Sequence, residues 1–253
     1  MSWFRKRAWI YALLLVFFTW WSMGKTEFEW RNFQEFGNAV SFIRDRFFPA
    51  TWSTLPNLVD PMLVTLAMAF LGTFIALIIA LPLAFAAAKN TAAHPVIYYL
   101  DRFFLSVLRS IPEIVFGLVF VVVFGLGPFP AVIAILLHNI GVLGKLISEL
   151  VEAADPGPQE AMKSVGSGRR LGNVFSIVPQ IWPNVLSHYF YRFEVAIRTS
   201  LILGFIGGGG IGQKLFNDFN SFNYAAVTVE VLFIMLLVIA VDLFGAFVRK
   251  RVI

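Results

Sequence analysis

Apolar runs long enough to cross a bilayer alternate along the chain with short polar, basic or glycine-rich stretches. Arg5, Lys6 and Arg7 precede a first run from about Ala8 to Met23, which suits either a signal peptide or a membrane helix. No small-residue cleavage site follows it, and Trp20 and Trp21 form an interfacial belt, so a retained helix is favoured. Lys25 to Pro56 mixes charges with Phe28, Phe33, Phe36, Val40, Ile43 and Phe47 at helix-like spacing. That spacing predicts an amphipathic helix on the membrane surface, with an ordinary external loop as the equal alternative. A second span is expected from Asp60-Pro61, with Asp as N-cap and Pro in the first turn, to about Ala88. Lys89 to Arg102 reads as a polar connection, Phe103 to Gly125 as the third span and Gly125 to Pro130 as a turn. Ala131 to Val151, Ile181 to Ile206 and Tyr224 to Val248 complete six spans.

One stretch breaks this rhythm. Glu160 to Pro179, EAMKSVGSGRRLGNVFSIVP, is polar, basic and punctuated by glycine. It is too long and too patterned for a simple turn, and it holds no arrangement that suggests catalysis.

Composition agrees with a membrane protein: of 253 residues, 58% are hydrophobic and 14% charged. Cysteine is absent, which excludes disulfides and thiolate metal sites, and His94, His138 and His188 lie far apart. The net charge of +5 is scattered between spans rather than gathered on one face, so it argues for topology and against nucleic acid. With both termini inside, cytoplasmic positions hold Arg5, Lys6, Arg7, Lys89, Arg102, Lys163, Arg169, Arg170, Arg249, Lys250 and Arg251. External positions hold Lys25, Arg31, Arg44, Arg46 and Lys214. Eleven against five favours this orientation and turns the polar island to the cytoplasm. No soluble part is large enough to bind a nucleotide, so an energy source must come from elsewhere.

The island also has a register. Glu160-Ala161, Gly166 six residues after the Glu, and Val178-Pro179 resemble the EAA loop of ABC-importer permeases. Met162, Ser176 and Val178 depart from that pattern, and Glu152-Ala153-Ala154 is out of register because Pro158 stands where the glycine belongs. Thr65-Leu66, Gly72-Thr73 and Leu81-Pro82-Leu83 resemble the start of the permease core. Glu152 to Gly157, Tyr191-Arg192-Phe193-Glu194, Arg198 and the GGGGIG run at Gly207 to Gly212 look most like the phosphonate branch, which includes phosphite and hypophosphite systems. Methionine-importer permeases, or those of other small solutes, are the nearest alternative.

The resemblance implies an all-α integral membrane protein of type I importer-permease fold, a methionine-importer-like five-helix core plus one N-terminal helix. Residues 1–57 would form the N-terminal helix and amphipathic segment, and 58–253 the core with its coupling loop at 152–179. Glu160, Ala161, Gly166 and Pro179 would dock on a cytoplasmic ATPase. The implied assembly is a dimer with a second copy or paralogue in the inner membrane, two ATPase subunits and a periplasmic binding protein. No cofactor or metal is expected in this chain, since ATP and Mg belong to the partner ATPase, and no enzymatic activity of its own.

Charged residues inside spans are costly and usually functional. Four basic ones remain: Arg109, Lys145, Arg192 and Arg198. Arg109 with Glu113, Lys145 with Glu149 and Glu194 with Arg198 are each four apart, a spacing that allows pairing along a helix. Arg192 and Glu194 point to different sides, leaving an excess positive charge near the middle of the fifth span. Arg109, Glu113, His138, Arg192, Glu194 and Arg198 are therefore candidates for the translocation path, with pairing between helices as the competing role. His138-Asn139 suits a packing hydrogen bond equally well. Gly207, Gly208, Gly209, Gly210 and Gly212 do not form a phosphate loop, because Gln213 precedes Lys214 and no Ser or Thr follows. They read as an external turn, followed by an anchor or short helix at Phe216, Phe219 and Phe222. Pro82 and Pro112 free backbone carbonyls within spans and favour bends.

Overall fold

In the computed structural model, which describes residues 2–28, 33–34 and 36–252, every regular element is helical. The chain divides into two units, Met1–Pro49 and Ala50–Ile253. Ala50 to Asn57, assigned to the N-terminal part by sequence, thus goes with the second unit.

The first unit holds α1 (Ser2–Lys25) and α2 (Phe36–Phe47). α1 carries the run expected to span, yet it does not join the helices whose length and hydropathy qualify them for crossing. α2 is a helix within the amphipathic segment and shorter than Lys25 to Pro56, and Arg31 lies outside the described residues. Phe36, Val40, Ile43 and Phe47 share one face of α2, and none of its residues is buried within the unit.

The second unit is a bundle built on α3 (Val59–Ala86), preceded by a tight 3-10 stretch at Trp52–Leu58. Asp60 does not cap α3 but lies in its first turn, where its charge meets the positive end of the helix. α3 packs along α6 (Pro128–Ala153) through Ala76, Ala80 and Ala84, all fully buried beside Leu143 and Ile147. Small side chains let two backbones approach closely, which matters where lipid offers no hydrophobic incentive to associate.

The third expected span is not one helix. It consists of α4 (Pro95–Ser110) and α5 (Glu113–Phe124), set at 84° to each other. Pro112 is the cause: it lacks an N–H and pushes Ile111 to an extended backbone, with ψ 120°. The expected polar connection is accordingly short, because α4 starts at Pro95 behind His94, whose Nδ1 accepts from Val96 N. α4 lies against α6 at two glycines. A Cβ on Gly141 would stand 2.6 Å from Arg109 N and 2.8 Å from Leu105 O, and one on Gly144 would strike Leu105.

After α7 (Pro156–Ser164), α8 runs from Arg169 to Phe205 without interruption. Its 37 residues give about 55 Å of helix, well beyond the ~30 Å of a hydrocarbon core. The loop expected at 152–179 therefore closes near Gly168, and Pro179 belongs to the exposed face of α8. α9 (Gly210–Asn220) and α10 (Tyr224–Val252) complete the unit. Among the described residues three helices qualify as spans, or five when the bent pairs α4–α5 and α8–α9 each count once.

The prediction here is steric. Gly141→Ala must push α4 away from α6 and should destabilise the protein by about 1–3 kcal/mol. Gly37→Ala in α2, where the added carbon meets nothing within 4 Å, should stay within about 0.5 kcal/mol. Melting temperatures of the two variants in the same detergent check the contrast.

Candidate functional site

Two regions collect the chain's unusual chemistry: the α4–α5 break, halfway along the bundle, and α7 at one end. At the break, α5 opens with Glu113 in its first turn, and the neighbouring helices supply polar partners. Arg192 of α8, 8% exposed, donates through Nε to Asn139 Oδ1 at 2.7 Å and through Nη2 to Glu113 Oε1 at 3.3 Å. Asn139 Nδ2 donates in turn to Thr73 Oγ1 on α3 at 3.3 Å. His138 Nδ1 lies 3.0 Å from Ile111 O, the carbonyl freed ahead of Pro112, and its Nε2 lies 3.3 Å from Glu113 Oε1. One carboxylate thus faces a guanidinium and an imidazole, while the amide of Asn139 joins α3, α6 and α8.

Of the candidates for a path, Glu113, His138 and Arg192 are brought together and Arg109 is not. Arg109 ends α4 on an exposed position, and the 84° break carries Glu113 away from it. Spacing of four residues pairs side chains only on one continuous helix. Where the helix continues, the pairs form: Lys145 Nζ–Glu149 at 3.2 Å, and Arg198 with Glu194. Arg198 keeps half its side chain exposed, whereas Glu194 is largely covered. Beside these residues an open groove of about 500 Å³ is lined by Phe70, Phe74, Trp182, Tyr189 and Phe193 among others. Its apolar walls suit side chains or lipid rather than an anion.

The glycine segment forms the turn between α8 and α9, and that turn is packed into the bundle. Gly207, Gly208 and Gly212 are buried, and Gly208 N donates to Leu203 O at 2.9 Å. Gly207, Gly209 and Gly210 have φ of 94°, 80° and 70°, and a side chain on Gly210 or Gly212 would collide with Thr65 or with the α8 backbone. Ile211 N donates to Thr65 Oγ1 at 3.0 Å, and Gly127 N to Gly207 O at 2.8 Å. The run is a packing joint between α3, α8 and α9. Phe216 and Phe219 fall in the short helix α9, with Phe222 just beyond it.

Spacing within α9 also hides a cross-helix contact. Lys214 Nζ pairs with Asp218 at 2.9 Å and, across to α10, with the fully buried Glu230 at 3.4 Å. Nothing in the order of residues 214 to 230 announces the second partner.

α7 differs from every other element of its unit: none of its residues is buried. Asp155 caps it through Gly157 N at 2.9 Å, and Pro156 fits the first helical position. Gly166, with φ 78°, and the bond from Ser167 N to Met162 O close its far end. Only glycine enters that turn without strain, which explains the glycine six residues after Glu160. Glu160 and Ala161 are exposed on α7, and the apolar side chains of Val165, Leu171 and Phe175 stand exposed close by in the chain.

Residues 80–253 match the family of binding-protein-dependent transport system inner membrane components. The chain belongs to that family. It is 34% identical over 213 residues to a phosphite transport system permease protein of Stutzerimonas stutzeri, a match covering 84% of this chain and 78% of that one. It is 36% identical over 197 residues to a putative phosphite transport system permease protein from the same organism, covering 78% and 70%. A phosphate-import permease protein of Mycolicibacterium smegmatis is 36% identical over 77% of this chain, though only 38% of that longer protein is matched. Among solved structures, the MetNI methionine ABC transporter in inward-facing conformations superposes with a TM-score of 0.70 at 19% identity, over 80% of this chain and 99% of its own. That likeness shows the fold, a type I importer permease. The chain is thus a multi-pass membrane protein and the permease subunit of a binding-protein-dependent ABC importer.

Removing one partner from a buried pair leaves the other uncompensated. Arg192→Leu should therefore cost about 3–5 kcal/mol, and adding Glu113→Leu should recover most of the loss. Arg198→Gln, at a half-exposed pair, should cost about 0–1 kcal/mol. Thermal denaturation of the purified permease, single and double variants side by side, checks these values.

Proposed function

We propose that this permease imports a phosphonate or a related phosphorus oxyanion such as phosphite or hypophosphite. It does so as a dimer, with a second copy or a paralogue, driven by two cytoplasmic ATPase subunits. A periplasmic binding protein delivers the cargo to the external face. The chain itself catalyses nothing: ATP and Mg are held by the partner ATPase. The termini and α7 lie on the cytoplasmic side, a reading supported by the eleven-to-five distribution of basic residues.

The observation that carries the mechanism is α7 itself. A helix with no buried residue, capped at one end by Asp155 and closed at the other by Gly166, makes a rigid knob for another protein to grip. Glu160, Ala161 and Gly166 present it, and Pro179 lies on the exposed side of the helix that follows. The cargo reading rests on the likeness to phosphite transport system permeases at 34–36% identity. The path residues remain Arg109, Glu113, His138, Arg192, Glu194 and Arg198. Among them Arg198 is the one whose charge is both paired and accessible to a passing anion, while Arg192 serves the helix junction. Uptake that is unchanged in Arg198→Gln would remove Arg198 from the path.

Two measurements test the proposal. ATPase should copurify with the wild type and be lost with Glu160→Arg, at an exposed position, and with Gly166→Trp, which also strains the turn that closes α7. Retention of ATPase in both variants would overturn the docking role. Titration of the partner binding protein with methylphosphonate, phosphite, hypophosphite and phosphate should give the tightest binding for one of the first three. Tightest binding of phosphate, or none of any, would overturn the cargo.

A further inference from the structure

Glu152 is claimed by none of the roles above. It stands at the end of α6, in the Glu-Ala-Ala triplet that lacks the downstream glycine. Its Oε1 accepts from Lys89 N at 2.8 Å and from Arg102 Nη1 at 2.9 Å. The adjoining Val151 O accepts from Asn90 Nδ2 at 2.8 Å. Arg102 is itself held on α4, where Nη1 donates to Tyr98 Oη at 2.7 Å and the guanidinium lies 5.1 Å from the centre of the Tyr98 ring. One carboxylate oxygen therefore joins the end of α6, the α3–α4 connection and α4.

Three residues further on is the root of α7. Asp155 caps α7, and its backbone N donates to Gln180 Oε1 on α8 at 3.0 Å. Residues 151–155 are thus bonded to α4 on one side and carry α7 on the other. From Arg102 to Ser110, α4 is continuous helix pressed against α6 at Gly141 and Gly144. It ends at the break beside Glu113 and Arg192. Axial displacement at Arg102 reaches that break with nothing flexible between.

We propose that Glu152 is a positioning residue for transport, which conveys displacement of α7 to α4 and so to the α4–α5 break. This rests on α7 being the ATPase dock. A carboxylate suits the task because one oxygen takes two bonds, one of them charge-assisted, in fixed directions. The pair is half-covered, with side chains 30% and 24% exposed, so its loss disturbs folding little while the link to α4 is cut.

The chain's lack of cysteine makes a single introduced one a specific reporter. Ser110→Cys places it at the end of α4 and Ser164→Cys at the end of α7, both at exposed positions. Maleimide labelling of the permease is followed in the full complex with its ATPase, with and without ATP and vanadate. In the parent, both reporters should change rate on addition of nucleotide. With Glu152→Ala, the response at Ser164→Cys should persist while that at Ser110→Cys falls about fivefold or more. Glu152→Gln, which keeps an acceptor for Lys89 N, should fall between. An undiminished response at Ser110→Cys in Glu152→Ala overturns the assignment of Glu152 alone. A silent Ser164→Cys in the parent overturns the docking role of α7, and the inference with it.

Discussion

A guanidinium buried halfway along an apolar bundle is the constraint around which this permease is arranged. Arg192 is buried, so its donors must be met by protein, and each acceptor comes from a different helix. Asn139 on α6 meets one, and Glu113 on α5 meets another. Glu113 can reach only because the chain breaks at Ile111-Pro112 and brings the first turn of α5 to that depth. The break leaves Ile111 O without a helical partner, and His138 stands ready to take it. The charge, the proline and the histidine therefore solve one problem together, and α3 is tied in through Thr73. Replacing such a cluster by hydrocarbon need not weaken a protein. Its presence specifies one arrangement of α3, α5, α6 and α8 among the many that apolar packing alone would tolerate.

The same contrast explains what the residue order conveyed. Apolar runs disclosed α3, α6, α8 and α10, because burial in lipid demands a long uninterrupted helix. Of the local signals that shape α7, the Asp155 cap and Pro156 stand just ahead of the polar island and only Gly166 lies within it, so residue order alone marked the island without marking the helix. Residue order did not show that α8 continues far back beyond the apolar run, since Arg169 to Gln180 is polar enough to pass for loop. Helical spacing was a safe guide to pairing where the helix is unbroken, as at Lys145–Glu149 and Glu194–Arg198. It failed for Arg109 and Glu113 because Pro112 stands between them. Contacts set by packing, such as Glu230 on Lys214 or Arg192 on Asn139, have no local signature at all.

Glycine taught a related lesson. At Gly166 it answers a backbone demand, a positive φ with open space around it, and that demand is legible from the helix ending there. At Gly207 to Gly212 it answers a packing demand as well, which only the neighbouring helices reveal. As a turn in open space, the run would be limited only by its backbone dihedrals. As a joint beside Thr65 and the backbone of α8, it tolerates almost no side chain.

These two ends of the bundle are mechanically unlike. At the glycine end, α3, α8 and α9 meet backbone to backbone, and any displacement there must move whole helices. At the α7 end, the connections are side-chain bonds, Gln159 with the buried Asn173 and the partly exposed pair of Glu152 with Arg102, the second of which can break and re-form at modest cost. Between the two lies the buried Arg192 network, costly to open and therefore suited to holding discrete arrangements rather than a continuum. On the proposed docking role of α7, a push delivered there meets the compliant end first and the buried Arg192 network second. An importer that must expose its path to one side at a time needs that order, since a junction that yielded gradually would leave the path partly open to both.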